Sequence, residues 1–286
     1  MIILEDARLR AAISPHGAEL QSLTPAGGED VMWGAGPEWP RHSPLLFPIV
    51  GRLEGEALLH EGRVHRMPKH GFARDSAFHV AARDRASCIL ELRDTPATRA
   101  LYPFAFTLTL TYRIQDGALT IDYAVANPGT EPLPFSLGAH PAFRWPLGDA
   151  PKTAHALTFE REETAPVRRL VGEKLGPGRP TPVEGRTLWL REDLFADDAL
   201  VFDQVDSRSV TYGAPGGPWV RVSWSGFREL GVWMKPGADF LCIEPWRGYD
   251  TPVEFDGPFV DKPGVMTLAP GDAARFALTI APSPAA

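Results

Sequence analysis

The feature that most restricts the fold is a strict two-residue alternation in the middle of the chain. The stretch FTLTLTYRI (106–114) alternates apolar or aromatic side chains with threonines and an arginine, and LTIDYAV (119–125) repeats the pattern after the turn QDGA. Successive side chains of a β-strand point to opposite faces, so this pattern predicts a β-hairpin with one face toward solvent. The same alternation returns more weakly in WVRVSW (219–224) and ARFALTI (274–280).

Helical signals are few. The stretch DTPATRALYPF (94–104) offers Asp94 or Thr95 as an N-cap and should stop before its second proline, and REDLFADDAL (191–200) fits a single turn. The stretch EKLGPGRPTPVEG (173–185) is rich in glycine and proline and predicts a surface loop.

Composition fits a globular protein and excludes two classes of partner. Hydrophobic residues make up 44% of the sequence, and the 29 prolines and 27 glycines are typical of a turn-rich chain. We therefore predict one all-β domain over residues 1–286, a large antiparallel β-sandwich of two packed sheets with few short helices. The net charge of −7 and the pI of about 5.6 argue against nucleic acid and anionic membrane surfaces as partners.

Cysteines and hydropathy bear on the cellular compartment. Cys88 and Cys242 lie in the apolar runs SCILEL and FLCIEP and are predicted to be buried, reduced thiols rather than a disulfide. The N-terminal stretch soon becomes charged, and the sequence has no apolar run of about 18 residues. We expect no signal peptide, no membrane span and a cytoplasmic location.

Two short stretches place an ionisable side chain directly before a proline. These side chains are His140 in SLGAHPAFRWP (136–146) and Glu244 in FLCIEPW (240–246). A residue before proline is held extended, and proline cannot donate to a sheet ladder, so we expect a strand to end at each position. A glutamate after such an apolar run predicts either a salt bridge to an arginine or a base whose pKa is raised by burial.

Other histidines fit a metal site poorly. His60, His65 and His70 are close in sequence, but no further ligand pattern accompanies them, and we predict neither a metal nor another cofactor. His70 differs from its neighbours because the loop KHGFARD (69–75) combines it with a glycine, charges and an anchoring phenylalanine. Such loops often hold functional residues, although a plain surface histidine is equally consistent with the pattern.

Aromatic side chains follow both proline-flanked stretches. Trp145 comes after His140, and Trp246 and Tyr249 come after Glu244. Flat apolar rings beside charged groups suit a pyranose, whose C–H face stacks while its hydroxyls form hydrogen bonds. The residues therefore indicate a small-molecule sugar as the ligand, with an imidazole and a carboxylate available for proton transfer.

Taken together, these stretches resemble the aldose 1-epimerase (mutarotase) superfamily, and most of all its shorter LacX-like branch. The stretches that carry the resemblance follow the family's order: SPLLFPIVGRL (43–53), KHGFARDSAF (69–78), SLGAHPAFRWP (136–146), CIEPWRGYD (242–250) and the C-terminal KPGVMTLAPGDAARFALTI (262–280). The resemblance covers almost the whole chain. It implies the galactose mutarotase type of β-sandwich.

The resemblance also implies roles for individual residues. Glu244 would be the general base, His140 the general acid, and His70 would bind the sugar and stabilise charge at the ring oxygen. Proton transfer from the anomeric hydroxyl to Glu244 and from His140 to the ring oxygen would open the ring, and reclosure on the other face would give the other anomer. The implied acid is an imidazole with a pKa near 6.5. Predicted substrate-binding residues are Arg52, Arg74, Asp198 and Trp246, with Asp197 and Asp203 as alternatives to Asp198.

Three other functions compete with this one. Arg41, Arg52, Arg74 and Arg247 lie near the motifs and would suit a sugar phosphate, so a hexose-6-phosphate 1-epimerase is the first alternative. A non-catalytic carbohydrate-binding protein is the second, because a fold alone does not establish catalysis. A glycosidase is disfavoured, since hydrolysis usually needs two facing carboxylates and only Glu244 stands out.

Overall fold

A computed structural model describes residues 1–284 as a mainly antiparallel β fold, which confirms the predicted fold class. The strands are β1 (Ile2–Glu5), β2 (Leu9–Ser14), β3 (Glu19–Pro25), β4 (Leu45–Leu46), β5 (Ala57–His60), β6 (Arg63–Arg66), β7 (His79–Arg83), β8 (Ser87–Arg93), β9 (Thr107–Gln115), β10 (Ala118–Ala126), β11 (Leu133–Phe135), β12 (Leu137–Ala139), β13 (Ala142–Arg144), β14 (Ala156–Phe159), β15 (Leu170–Val171), β16 (Lys174–Leu175), β17 (Thr187–Trp189), β18 (Leu200–Phe202), β19 (Ser209–Gly213), β20 (Trp219–Ser225), β21 (Glu229–Trp233), β22 (Phe240–Arg247), β23 (Met266–Leu268) and β24 (Ala273–Pro282).

Helical structure within residues 1–284 is short. It consists of the α-helix α1 (Pro96–Leu101) and five 3₁₀ turns, at Glu54–Glu56, Ala73–Asp75, Lys152–Ala154, Glu192–Phe195 and Phe259–Asp261. No helix in this part of the chain is long and apolar enough to cross a membrane.

The predicted hairpin is confirmed in β9 and β10, which stay in register up to Gln115 opposite Ala118. Asp116 and Gly117 form the turn, and both have positive φ angles, of 54° and 79°. Two-residue turns of this kind match the right-handed twist of paired strands, and they favour Asp-Gly at these two positions. The hairpin and its register are therefore set by local sequence.

Two large sheets pack face to face around the core. One has nine strands in the order β17-β14-β19-β20-β24-β10-β9-β8-β7, and the other has the order β18-β21-β22-β12-β4, with β13 also pairing with β22. Aromatic contacts join the sheets: Phe159 and Phe202 have ring centroids 5.4 Å apart, and Phe143 and Tyr212 have centroids 6.4 Å apart. Cys88 and Cys242 are free and buried, as predicted.

Both helical predictions are confirmed, whereas the predicted surface loop at 173–185 begins with a short paired strand. Thr95 caps α1, because its Oγ1 accepts the N–H of Thr98 at 3.2 Å. The stretch 191–200 contains one 3₁₀ turn. Within 173–185, β16 pairs with β15, and Leu175 is fully buried in a small apolar cluster beside Trp246. Contacts with that cluster order the start of the loop.

The prediction that a strand ends at Glu244 is wrong, because β22 continues through Pro245. One edge of β22 pairs with β21 from Cys242 to Trp246, whereas the other edge pairs first with β13 and then with β12. Ile243 donates its N–H to the Pro141 carbonyl on this second edge at 3.2 Å. Pro245, two residues further on, therefore faces the gap between β13 and β12, where its missing N–H costs no ladder bond.

Candidate active site

A cavity on the six-stranded sheet brings together six of the seven side chains predicted from the sequence. Those six are His70, Arg74, His140, Asp198, Glu244 and Trp246. The wall also contains four polar or aromatic residues that sequence reasoning did not select, which are Trp39, Lys69, Trp233 and Asp250. Side chains far apart in the sequence thus converge on one concave surface.

Side-chain alternation along β22 decides which residues reach this cavity. Glu244 and Trp246 are two positions apart and share one face, whereas Ile243 points into the main core. The indole of Trp246 requires space beside it, which Gly138 and Gly231 provide. A Cβ at these two positions would lie only 2.8 and 2.4 Å from indole carbons.

His140 and Glu244 form a buried pair at the centre of the cavity. His140 Nε2 lies 3.2 Å from Glu244 Oε2. Strand β12 ends one residue before His140, as predicted. Trp39 stacks on the imidazole at a centroid distance of 5.1 Å, and Trp233 meets it edge-on at 5.9 Å. The two side chains are only 9% and 2% exposed, so an aromatic wall shields the pair from water.

Burial dominates the electrostatics of this pair. It raises the pKa of Glu244 well above the usual range, and the nearby Lys69 cation opposes that rise. Burial, together with the Lys69 and Arg74 cations, lowers the pKa of His140 to about 3. The expected imidazole with a pKa near 6.5 is therefore not found, because the pKa of His140 is lower. Burial therefore favours a neutral carboxylic acid beside a neutral imidazole, and a pair in this form holds one transferable proton.

His70 is held by the backbone of a neighbouring loop. The N–H of Gly51 donates to His70 Nδ1 at 3.0 Å, and the N–H of His70 donates to the Gly51 carbonyl at 2.8 Å. Burial lowers the pKa of His70 well below its usual value, with nearby cations adding to the effect. A neutral imidazole whose Nδ1 accepts must carry its hydrogen on Nε2, so His70 presents an N–H donor.

Two residues of the cavity wall have a strained backbone. The φ angles of His70 and Asp198 are 65° and 67°, in the left-handed region that non-glycine residues rarely adopt. Such conformations concentrate at functional sites. Of the three candidate aspartates, Asp198 is the one that lines the cavity, whereas Asp197 pairs with Arg179 at 2.9 Å and Asp203 pairs with Arg168 at 3.5 Å.

The two predicted arginines are placed differently. Arg74 lines the cavity and donates from Nη2 to the Lys69 carbonyl at 2.7 Å. Arg52 is not part of the lining, because its Nη1 lies 3.2 Å from Glu56 Oε1 and 3.3 Å from Glu173 Oε1. The ion pair with Glu173 joins segments distant in sequence, so no local pattern signals it.

Two of the four residues missed by sequence reasoning could have been found from their place in the sequence motifs. Lys69 and Asp250 stand inside the stretches KHGFARD and CIEPWRGYD, which also contain predicted site residues. Trp39 and Trp233 stand outside any motif and are positioned by packing on Phe240, at centroid distances of 5.2 and 5.5 Å. Their role as cavity wall is a property of the tertiary structure.

Among the described residues, two groups of possible metal ligands have ligand atoms within 4.8 Å of one another. One comprises His140, Cys242 and Glu244, and the other comprises His60, Glu61 and Glu131. The sequence cluster of His60, His65 and His70 is neither of these. Burial raises the pKa of Cys242 well above its usual value, and the nearby Glu244 adds to that rise.

Comparison with protein families and curated proteins gives consistent results. The family model for aldose 1-epimerase matches residues 1–262. The plasmid-encoded protein LacX of Lactococcus lactis is 28% identical over 290 residues, which cover 96% of each chain. A provisionally named glucose-6-phosphate 1-epimerase of Salmonella typhimurium is 26% identical over 125 residues, covering 40% of each chain.

Comparison with solved structures gives the same fold. A galactose mutarotase related enzyme from Lactobacillus acidophilus superposes with a TM-score of 0.92 at 30% identity, covering 99% of this chain and 97% of that one. A galactose mutarotase-like protein from Lactobacillus casei gives a TM-score of 0.90 at 28% identity, covering 99% of this chain and 100% of that one.

Proposed function

The chain belongs to the aldose 1-epimerase family, and we propose that it interconverts the α and β anomers of an aldohexose. The observation that carries this proposal is the buried pair of Glu244 and His140, 3.2 Å apart and facing a cavity walled by tryptophans. Anomer exchange needs a base at the anomeric hydroxyl and an acid at the ring oxygen. The pair supplies one group of each kind.

The proton count of the pair matches the reaction. Glu244 as carboxylate and His140 as imidazolium hold one transferable proton between them, which is the same number that a neutral carboxylic acid and a neutral imidazole hold. Sugar hydroxyls that hydrogen-bond to the carboxylate favour its charged form, and the proton then moves to His140. Glu244 accepts the anomeric proton while His140 donates to the ring oxygen, and the ring opens to the aldehyde. Rotation about the bond to the anomeric carbon and reversal of both transfers give the other anomer.

The remaining cavity residues bind and orient the sugar in this proposal. Trp39, Trp233 and Trp246 offer apolar ring faces or edges for the C–H face of a pyranose. The Nε2–H of His70 donates to the ring oxygen, where negative charge develops during opening. Asp198 accepts from sugar hydroxyls, and Arg74 donates to them. For Arg52 to take part, its guanidinium would have to leave Glu56 and Glu173.

A second candidate substrate is a hexose 6-phosphate. Within residues 1–284, the Lys69 ammonium has neither an ion pair nor a hydrogen bond, and it lies in the same cavity wall as the Arg74 guanidinium. Two cations in one wall suit an anionic substituent on the sugar. The Salmonella relative named for glucose 6-phosphate is consistent with this candidate.

The test is anomeric exchange measured by saturation-transfer NMR on purified protein, with a panel of free aldohexoses and the matching hexose 6-phosphates. Acceleration of exchange supports the proposed activity, and the preferred member of each matched pair decides between the two candidates. Binding of a sugar without acceleration on any member would refute the activity and identify a non-catalytic sugar-binding protein. Release of product from a glycoside would point to hydrolysis instead.

A further inference from the structure

The turn at Gly51 and Arg52 links two residues of the cavity wall through its peptide groups. On one side, the N–H and carbonyl of Gly51 bond the ring and the backbone of His70. On the other side, the N–H of Arg52 donates to Asp250 Oδ1 at 2.9 Å. Thr251 completes the arrangement, because its hydroxyl donates to the Arg52 carbonyl at 2.8 Å. The neighbours Asp250 and Thr251 therefore bind both backbone polar groups of Arg52, its N–H and its carbonyl.

Close packing leaves this turn little freedom. Gly51 has a φ of 73°, and a Cβ on it would lie 2.2 Å from the Asp250 carboxyl carbon. Only glycine fits such a position, since it combines a left-handed backbone with direct contact to the carboxylate. Asp250 is itself only 6% exposed. The carboxylate thus limits movement of the peptide that bonds His70.

The segment that carries Asp250 is anchored in turn. The Lys262 ammonium donates to the carbonyl of Tyr249 and lies 5.4 Å from the centre of its ring. Lys262 is only 3% exposed, so this contact is shielded from water. Burial raises the pKa of Asp250 and Asp198 adds to that rise, whereas the Lys69 and Lys262 cations oppose it.

We propose that Asp250 is a positioning residue that fixes His70 as the Nε2–H tautomer through the Gly51–Arg52 peptide. The Arg52 N–H held by Asp250 orients the turn, and the turn aims the Gly51 N–H at His70 Nδ1. Nδ1 then acts only as an acceptor, and the ring hydrogen lies on Nε2, where the proposed function requires a donor. The catalytic consequence rests on that proposed function, whereas the tautomer is a property of the free protein.

The test of the tautomer is a long-range ¹H–¹⁵N correlation spectrum of protein labelled at histidine, with His70 assigned from the spectrum of His70→Gln. We expect a pyridine-type nitrogen at Nδ1 and a pyrrole-type nitrogen at Nε2. Asp250→Asn keeps an acceptor oxygen and should retain this spectrum, whereas Asp250→Ala should lose the single tautomer. A hydrogen on Nδ1 in the unmodified protein, or an unchanged spectrum in Asp250→Ala, overturns the proposal.

Matched variants separate positioning from general stability. Asp30→Ala removes an aspartate whose Oδ1 accepts two backbone N–H groups, both at 2.9 Å, away from the cavity, and it should leave the His70 spectrum unchanged. If Asp250→Ala does not fold, Thr251→Val removes the second bond to Arg52 and should disturb the same tautomer. An undisturbed tautomer in Thr251→Val would then count against the proposal.

Turnover gives the second readout. Asp250→Ala should lower kcat by up to about 100-fold with little change in KM, because a misplaced donor impairs the chemical step more than binding. Asp250→Asn should stay close to the unmodified protein. A raised KM in both variants, with kcat unchanged, would mean that Asp250 contacts the sugar directly and would overturn the positioning role. If the unmodified protein does not exchange anomers, the proposed function fails, while the spectra still decide the tautomer.

Discussion

Replacing Glu244 by glutamine tests the proposed base with little change in shape. The side chain is almost completely buried, with its Oε2 3.2 Å from His140 Nε2. Glutamine has nearly the same volume and keeps an oxygen and a nitrogen that form hydrogen bonds. It cannot accept the anomeric proton. The variant therefore removes the proton-transfer function while the cavity wall stays in place.

The expected loss follows from the role of a positioned base. General base catalysis contributes about 10²- to 10⁴-fold, equivalent to about 3–5 kcal/mol of the barrier. We expect Glu244→Gln to lose at least about 100-fold in kcat. Sugar binding should persist, because Trp246 and Asp198 still line the cavity. The fold should also persist, since burial favours a neutral side chain at this position and glutamine is neutral.

The assay is saturation-transfer NMR on the preferred sugar of the panel, with affinity measured separately by calorimetry. Glu163→Gln is the matched control, because Glu163 is also a buried glutamate but accepts the N–H groups of Asp206 and Ser207, outside the cavity. It should lose stability without losing turnover. A Glu244→Gln enzyme that binds sugar and turns over within about tenfold of the unmodified protein would refute the assignment of Glu244 as the base.

Three further predictions concern pH and stability. The pKa of His140 is about 3 in the folded protein against 6.5 for a free imidazole, so the stability present above pH 6.5 is lost as the pH falls toward 3. In urea titrations at several pH values, His140→Gln should lose less stability on acidification than the unmodified protein. An equal loss would contradict the buried neutral imidazole. Lys69→Met should move the pH–rate profile to higher pH, because the Lys69 cation lowers the pKa of both Glu244 and His140. An unchanged profile would show that the Lys69 charge does not affect these two pKa values. Tyr102→Phe should lower the free energy of unfolding by about 1–3 kcal/mol without affecting turnover, because the fully buried hydroxyl donates to the Pro134 carbonyl; urea unfolding checks this, and an unchanged stability would contradict it.

Much of the fold could be predicted because its signals are local. The alternation in β9 and β10, the Asp-Gly turn between them and the Thr95 cap of α1 depend on residues close together in the chain. The end of β12 before His140 is also local, since proline restricts the residue that precedes it. The same reasoning was wrong for β22, because Pro245 faces a gap between two partner strands that only the assembled sheet contains.

By itself, the sequence determined the β-sandwich class and, through its motifs, six of the side chains that line the cavity. Only the tertiary structure decided how these side chains behave. Burial raises the pKa of Glu244 and lowers the pKa of His140, and the Lys69 cation opposes the first shift and adds to the second. Both effects act through space rather than along the chain. The ion pairs of Arg52 and the contact of Asp250 with the Gly51–Arg52 turn likewise join distant segments. Backbone propensity is local and can be read from neighbouring residues, whereas electrostatics and close packing depend on which segments the fold brings together.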